Sequence, residues 1–389
     1  MADKAYITPN VLKWARESAR MSEEIASAKV SVSVDKLKEW EEGISQPSIR
    51  QADILAKAYR RPFALLFLPE VPKDFQPLQD FRQKGSKELG TASVFIIREI
   101  QQKQAWIRDV FEENGEEKLS FVGKYTINDN PEIVAKNILN TLDINPAAYS
   151  TENPIKEWID KAESKGIFIS RTSFIHSRLT LDSEEIQGFA IADAYAPFVF
   201  INSDDWNAPQ LFTLVHELAH IWIAQSGVSN DIEFDIINRD NKNPIEVFCN
   251  NVAANALMPS QIFSNLDISI YKSFNRIFNT SNSFGISSFA LLVRALNLNI
   301  ISFDRYILLK NEADIAFKKF LEREREKELK SKTPGGPNPY LLMLNKNSRL
   351  FTQIVIDAFR GGHIEPTQAS SLLNAPVNKF SSFEAILYR

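Results

Sequence analysis

The sequence predicts an α+β chain that is mainly helical, and three observations carry that expectation. Apolar residues recur at helical spacing through most of its length, behind Ser and Pro residues that suit helix starts. β-Branched and aromatic runs are concentrated between about residues 167 and 202. Hydrophobic residues make up 44% and charged ones 24%, the balance of a core-forming globular chain, and 389 residues exceed one ordinary domain, so two or three are expected.

Residues 9–61 read as a cluster of short helices. Val11, Leu12, Ala15 and Ala19 follow helical spacing. Ser22, Ser33 and Ser48 are candidate N-caps for "SEEIASAKV", "SVDKLKEWEEG" and "SIRQADILAKAYRRP", with Gly43 and Pro62 as natural stops. Four prolines, Pro62, Pro69, Pro72 and Pro77, then break regular structure, and a linker packed down by Phe63, Phe67 and Phe81 is expected. A long amphipathic helix is predicted from about Thr91 to Asn114, and another after Pro131. The helix "IKEWIDKAESKG" leads into the strand-like "IFISRTSFI", and "IQGFAIADAYAPFVFIN" predicts two strands with a turn near Ala194 to Pro197. A helix from about Trp206, a polar acidic loop, a helix near Pro244 and further helices including Ser287 to Leu296 follow. "EREREKELKSKTPGGPNP" reads as a charged helix end running into a Gly/Pro linker, and two short helical patterns close the chain. There is no internal repeat.

The formal net charge of -4 argues against bulk electrostatic binding to nucleic acid or anionic membrane, leaving a local basic face as the route to either. The single cysteine, Cys249, excludes an intrachain disulfide. "MADKAYITPN" lacks the basic-then-apolar pattern of a signal peptide, and "FALLFLP" is far below the roughly 20 apolar residues that span a bilayer. A cytoplasmic protein with no membrane partner is the expectation.

The chemistry is concentrated in "LFTLVHELAHIWI", residues 211–223, which contains His-Glu-x-x-His. Residues four apart share a helix face with Cβ atoms roughly 5–6 Å apart, so His216 and His220 can reach one metal ion. Glu217 stands beside them, where such a glutamate serves as general base rather than ligand. The bland alternative is a core helix, since Leu211, Leu214, Val215, Leu218 and Trp222 form an apolar stripe. Two buried histidines without a metal would then each need a hydrogen-bond partner. A catalytic site needs a third ligand. The extended motif with glycine and histidine at positions 223 and 226 is excluded by Ile223 and Ser226. Glu246, in "NPIEVFCNNVAANALMP", is the candidate on a following helix, against the alternative of a first-turn acid stabilised by the helix dipole. Asn250, one turn later, could hydrogen-bond the free nitrogen of a ligating histidine. Glu233, Asp235 and Asp240 are rival carboxylates in the acidic loop. Cys249 is either a fourth, thiolate ligand or a small buried residue.

The motif, "FVFIN" before it and "IEVFCNNVAANALMP" after it resemble the ImmA/IrrE family of zinc-dependent peptidases over roughly residues 150–270. The resemblance implies a zincin-like metallopeptidase domain with a small sheet, Zn2+ held by His216, His220 and Glu246, and water activated by Glu217. Phe248 stands where the family often has a second acid, Cys249 where it has alanine, and Asn207 and Gln210 where basic residues are common.

"VSVDKLKEWEEGISQPS" resembles the second half of a Cro/repressor-type helix-turn-helix of the Xre family, over about residues 9–68. The resemblance implies an N-terminal five-helix-type domain with Leu37 and Trp40 in the core. Ser31 stands where the turn often has glycine. Candidate DNA contacts are Val34, Asp35, Lys36, Lys38, Glu39 and Arg50, with Arg16, Arg20, Lys29, Lys57, Arg60 and Arg61 available to the phosphate backbone. Residues 33–43 carry two lysines against four carboxylates, so docking onto protein is an equal alternative.

The expected domains are a helix-turn-helix over 1–68, a Pro-rich linker over 69–90, and a peptidase domain with helical lead-in over 91–310. A charged helix, Gly/Pro linker and C-terminal helices fill 311–389. The whole is similar to fused Xre–ImmA/IrrE proteins. That resemblance implies a metallopeptidase of narrow specificity acting on a regulator, a repressor or antitoxin. The alternative is a DNA-binding regulator or antitoxin-like protein whose zincin domain is a sensor or partner-binding platform. The partners are a repressor, antitoxin or toxin in either reading, and double-stranded DNA in the second. No residue identifies the oxyanion stabiliser or the oligomeric state.

Overall fold

The computed structural model describes residues 3–73, 77–82, 86–176, 178–229, 243–330 and 338–388. The chain is mainly helical with a small mixed sheet, an α+β fold. It divides into two compact units. Unit 1 comprises Met1–Pro77, Lys87–Gln102 and Phe174–Glu185, and unit 2 comprises Leu78–Ser86, Lys103–Ser173 and Ile186–Arg389. Among the described residues no helix is long and apolar enough to cross a membrane.

Unit 1 is built on four short helices, Pro9–Ser18, Glu23–Lys29, Val34–Glu41 and Ile49–Ala58. Serines start three of them. Ser22 Oγ accepts from Ile25 N, Ser33 Oγ from Lys36 N, and Ser48 forms a reciprocal capping box with Gln51. Each such cap is worth about 1 kcal/mol. Gly43 ends the third helix region with φ +78°, and Ser31 takes the left-handed conformation (φ 55°) between the second and third helices. Leu12, Ala15, Leu37, Trp40, Leu55 and Tyr59 form the core. Leu66, not Phe67, is the buried residue of the turn Phe63–Phe67 that follows Pro62.

The strands are β1 (Gln79–Asp80), β2 (Phe168–Thr172), β3 (Phe174–His176), β4 (Leu179–Thr180), β5 (Gly188–Ile191), β6 (Phe198–Asn202) and β7 (Gly227–Ser229). β3 and β4 pair as an antiparallel hairpin in unit 1. The other five form the sheet of unit 2 in the order β1-β7-β5-β6-β2. β6 runs parallel to β2 and antiparallel to β5, and β5 is antiparallel to β7. The expected turn at 194–197 therefore joins a true hairpin. "IFISRTSFI", expected as one run, is split between β2 and β3. β1 lies inside the stretch read as a linker and pairs parallel with β7.

β5 and β6 are buried at every position, because both faces of the sheet are covered. Helix Asn207–Trp222 packs on β5 and β6, while helices Pro339–Asn347 and Arg349–Arg360 pack on β2. Phe168 stacks on Phe198 at 4.7 Å, and Phe351 from the C-terminal segment meets both edge-on. Ser170 Oγ donates to Lys346 O at 2.6 Å, fixing the same junction. The sheet thus presents helix Asn207–Trp222 from a rigid floor, and helix Pro244–Leu257 packs against that helix.

Candidate metal centre

Helix Asn207–Trp222 buries every residue from Gln210 to Trp222, so it is enclosed all round rather than along one stripe. Leu211, Leu214, Val215, Leu218 and Trp222 are core residues, but the same turns carry His216, Glu217 and His220, each 0% exposed. Buried polar groups demand partners, and the two rings find each other and Glu246, while His220 Nδ1 and both Glu217 oxygens have none among the described residues. The His216 and His220 Nε2 atoms lie 3.0 Å apart. His216 Nε2 is 3.2 Å from Glu246 Oε2, and His220 Nε2 is 3.1 Å from Glu246 Oε1. Among the described residues these three side chains form the one group of donor atoms suited to a metal ion.

Glu246 arrives from helix Pro244–Leu257, whose start is set by Pro244 and by Asn243, which accepts from Ile245 N at 3.0 Å. The first-turn position therefore coexists with the convergence on the histidines. Asn250, one turn on, meets His216 Nδ1 through Oδ1 at 2.8 Å. An amide oxygen accepts, so Nδ1 carries the proton and Nε2 presents its lone pair to Glu246 and His220. Ser229 Oγ, from β7, donates to Glu246 Oε1 at 3.4 Å.

Two of the three groups are shifted by their surroundings. Burial lowers His220, which keeps its imidazole neutral, although Glu246 pulls the other way. Burial pushes Glu246 up, but the combined pull of His216 and His220 outweighs it and leaves the carboxyl at about 2. Neutral imidazoles and an ionised carboxylate are the forms that bind a divalent cation. Two imidazole nitrogens and a carboxylate converging at one buried point make the donor set of a divalent-cation site. The donor set fits zinc.

Glu217 behaves differently. Neither carboxylate oxygen has a hydrogen-bond partner among the described residues. Burial, then the charge of Glu246, push it well above the usual carboxylate range. The space for it comes from a glycine: a Cβ at Gly188 in β5 would lie 2.7 Å from Thr213 Cγ2 and 2.9 Å from Glu217 Oε1. Sequence reasoning missed Gly188 and Ser229, since strand pairing alone brings them here.

Other candidates fall elsewhere. Cys249 is fully buried, its thiol pushed well up by burial, and it is not in the converging group. Phe248 is buried. Glu233, Asp235 and Asp240 lie outside the described residues. Asn207 and Gln210 are both hydrogen-bonded by Arg171 of β2, so a cation does stand at this helix start, supplied from the sheet.

In unit 1, Asp35, Lys38 and Arg50 are exposed and Val34, Lys36 and Glu39 half-buried. Lys36 pairs with Glu39, and Lys38 with Glu23 at 3.3 Å. Three cations read as available for phosphate are engaged with other groups of unit 1. Arg16 is buried against Glu41, Arg60 pairs with Glu99 at 3.0 Å, and Arg61 lies over the Trp14 ring at 4.4 Å.

Among curated proteins none matches the chain. Residues 162–296, which hold both histidines, Glu217, Glu246 and Asn250, match the family model Peptidase_M78, the IrrE N-terminal-like domain.

Proposed function

We propose that the chain is a zinc metallopeptidase of narrow specificity whose substrate is a regulatory protein, a repressor or antitoxin. One observation carries this reading: two buried imidazoles and a carboxylate converge beside a second, unpartnered carboxylate. Zinc bound there would polarise a substrate carbonyl and acidify a water molecule. The chain's own residues do the rest. His216, His220 and Glu246 would hold the ion, with Asn250 keeping the proton of His216 on Nδ1. Glu217 would take the proton of the attacking water at its carboxylate and hand it on to the leaving amine as the peptide C–N bond breaks. The dry surroundings strengthen each of these electrostatic contacts. The match of residues 162–296 supports the same reading.

Elemental analysis of wild type beside Glu246→Ala tests the ligand set. Wild type should carry stoichiometric zinc and the variant almost none. Equal zinc in both would remove Glu246 from the site.

A second reading is DNA binding through helix Val34–Glu41, favoured by its capped start and by left-handed Ser31 before it. In that case the zincin domain serves as a sensor or as a platform for an antitoxin or toxin partner. A gel-shift titration on the protein's own promoter across a salt series tests it, and absence of a specific shift at low salt rejects it.

A further inference from the structure

One flank of the metal centre is formed by a segment that the proposed chemistry leaves unused. β1 lies along the outer edge of β7, with Gln79 opposite Gly227 and Asp80 opposite Val228. Phe81 N continues the ladder by donating to Val228 O at 3.0 Å. The Phe81 ring then lies flat against the His220 imidazole, with centroids 5.2 Å apart and planes 7° from parallel. Phe81 is 3% exposed.

The seat for this segment is built. A Cβ at Gly227 would lie 2.2 Å and 2.4 Å from Phe81 ring atoms and 2.7 Å from Gln79 O, so only glycine there admits both. The Arg82 guanidinium grips both oxygens of Asp80, at 2.9 Å and 2.7 Å, and its backbone N–H adds a bond at 3.1 Å. The segment is thereby pre-shaped as it leaves the edge. A two-residue strand on a sheet edge is nonetheless the weakest kind of sheet pairing, and it opens before the core does. Sheet edges are also where extended peptides add as an extra strand, through main-chain bonds for affinity and side-chain pockets for choice.

We propose that the outer edge of β7, the one β1 covers, is the peptide-docking edge of the metal centre, with Gln79–Phe81 as its resident occupant. A substrate segment displaces these residues and sets a bulky apolar side chain on His220 in the place of Phe81. This assignment rests on the metallopeptidase reading for its meaning, and on the geometry of the edge for its content.

Hydrogen exchange on the full-length zinc-loaded protein tests the occupant. The Phe81 amide should exchange by local opening, about a hundredfold or more faster than the protected amides of β6. Exchange of Phe81 only in step with β6 would make the segment a fixed part of the fold and overturn the proposal. Phe81→Ala tests the edge. It should keep its zinc and yield it to a chelator about tenfold faster than wild type. It should also bind a labelled Leu-Gln-Asp-Phe-Arg peptide about tenfold more tightly, with the Phe-to-Ala peptide failing to bind. Unchanged chelation and unchanged peptide binding would overturn the proposal. If Phe81→Ala does not fold, the exchange experiment still decides. Wild type that lacks zinc but shows fast exchange at Phe81 would sink the peptidase reading and leave the displaceable strand standing.

Discussion

Two regions of this molecule bury charge, and they do so in opposite ways. In unit 1, Arg16 and Glu41 meet through two bonds of 2.8 Å, and the remaining Arg16 nitrogen reaches Met21 O at 3.3 Å. Each Arg16 nitrogen has an acceptor, and the pair is closed. At the metal centre the ring nitrogens of His216 and His220 and the Glu246 carboxylate crowd one another across about 3 Å, and the Glu217 oxygens have no hydrogen-bond partner among the described residues. A closed pair holds a fold together. An open set is destabilising unless something else completes it, and that incompleteness marks a site of chemistry.

The largest expected effect sharpens the contrast at its centre. Glu217→Gln keeps the shape and removes the proton acceptor, so peptide cleavage should fall by about 10²–10⁴-fold while zinc content stays at the wild-type level. Unchanged cleavage would break the assignment of Glu217. Next comes the closed pair. Arg16→Ala strands the Glu41 carboxylate in the core and should cost about 3–5 kcal/mol of unfolding free energy in urea titrations, with zinc content untouched. Replacing both partners with apolar residues of similar volume should recover most of that loss. A full loss in the double variant would mean that the pair does more than satisfy itself.

A smaller effect is expected at the border of the open set. Asn250→Ala frees the proton of His216 to sit on either nitrogen, and zinc affinity should weaken by about 10–100-fold in competition with a chelator. Asn250→Asp should recover part of it, since a carboxylate also accepts from Nδ1. No change in either variant would show that the Asn250 contact at 2.8 Å is incidental.

The sequence carried these two regions unequally. The metal centre was legible because one helix period places His216 and His220 together, and because Asn250 follows Glu246 by one turn. Local periodicity is enough to group such residues. Gly188, Ser229 and Phe81 were not legible, since they reach the site through pairing of strands only two to four residues long, far apart in sequence. Such short pairings leave no periodic trace, and prolines around β1 pointed to a linker. The serine caps of unit 1 were readable for the same local reason that His216 and His220 were. The engagement of Arg16, Arg60 and Arg61 by Glu41, Glu99 and Trp14 was not, because a cation's partner is chosen by tertiary packing.

Glu163 offers the finest test, because it is a closed contact that titrates. Its Oε1 accepts from Ser348 Oγ at 2.5 Å and Arg349 N at 3.0 Å, tying helix Pro154–Ser164 to the start of helix Arg349–Arg360. Burial raises its carboxyl to about 7 despite those bonds. The folded state then holds a proton that the unfolded chain releases near pH 4.5. Stability from this group is complete below that value and is lost as the pH rises through about 7, by up to about 3 kcal/mol. Glu163→Gln keeps the accepting oxygen and cannot ionise. Thermal melts of the two proteins should nearly coincide at pH 5, and the variant should melt higher at pH 8. A difference that stays constant between those pH values would mean that Glu163 is already ionised in the fold, held by its hydrogen bonds as firmly as Glu41 is held by Arg16.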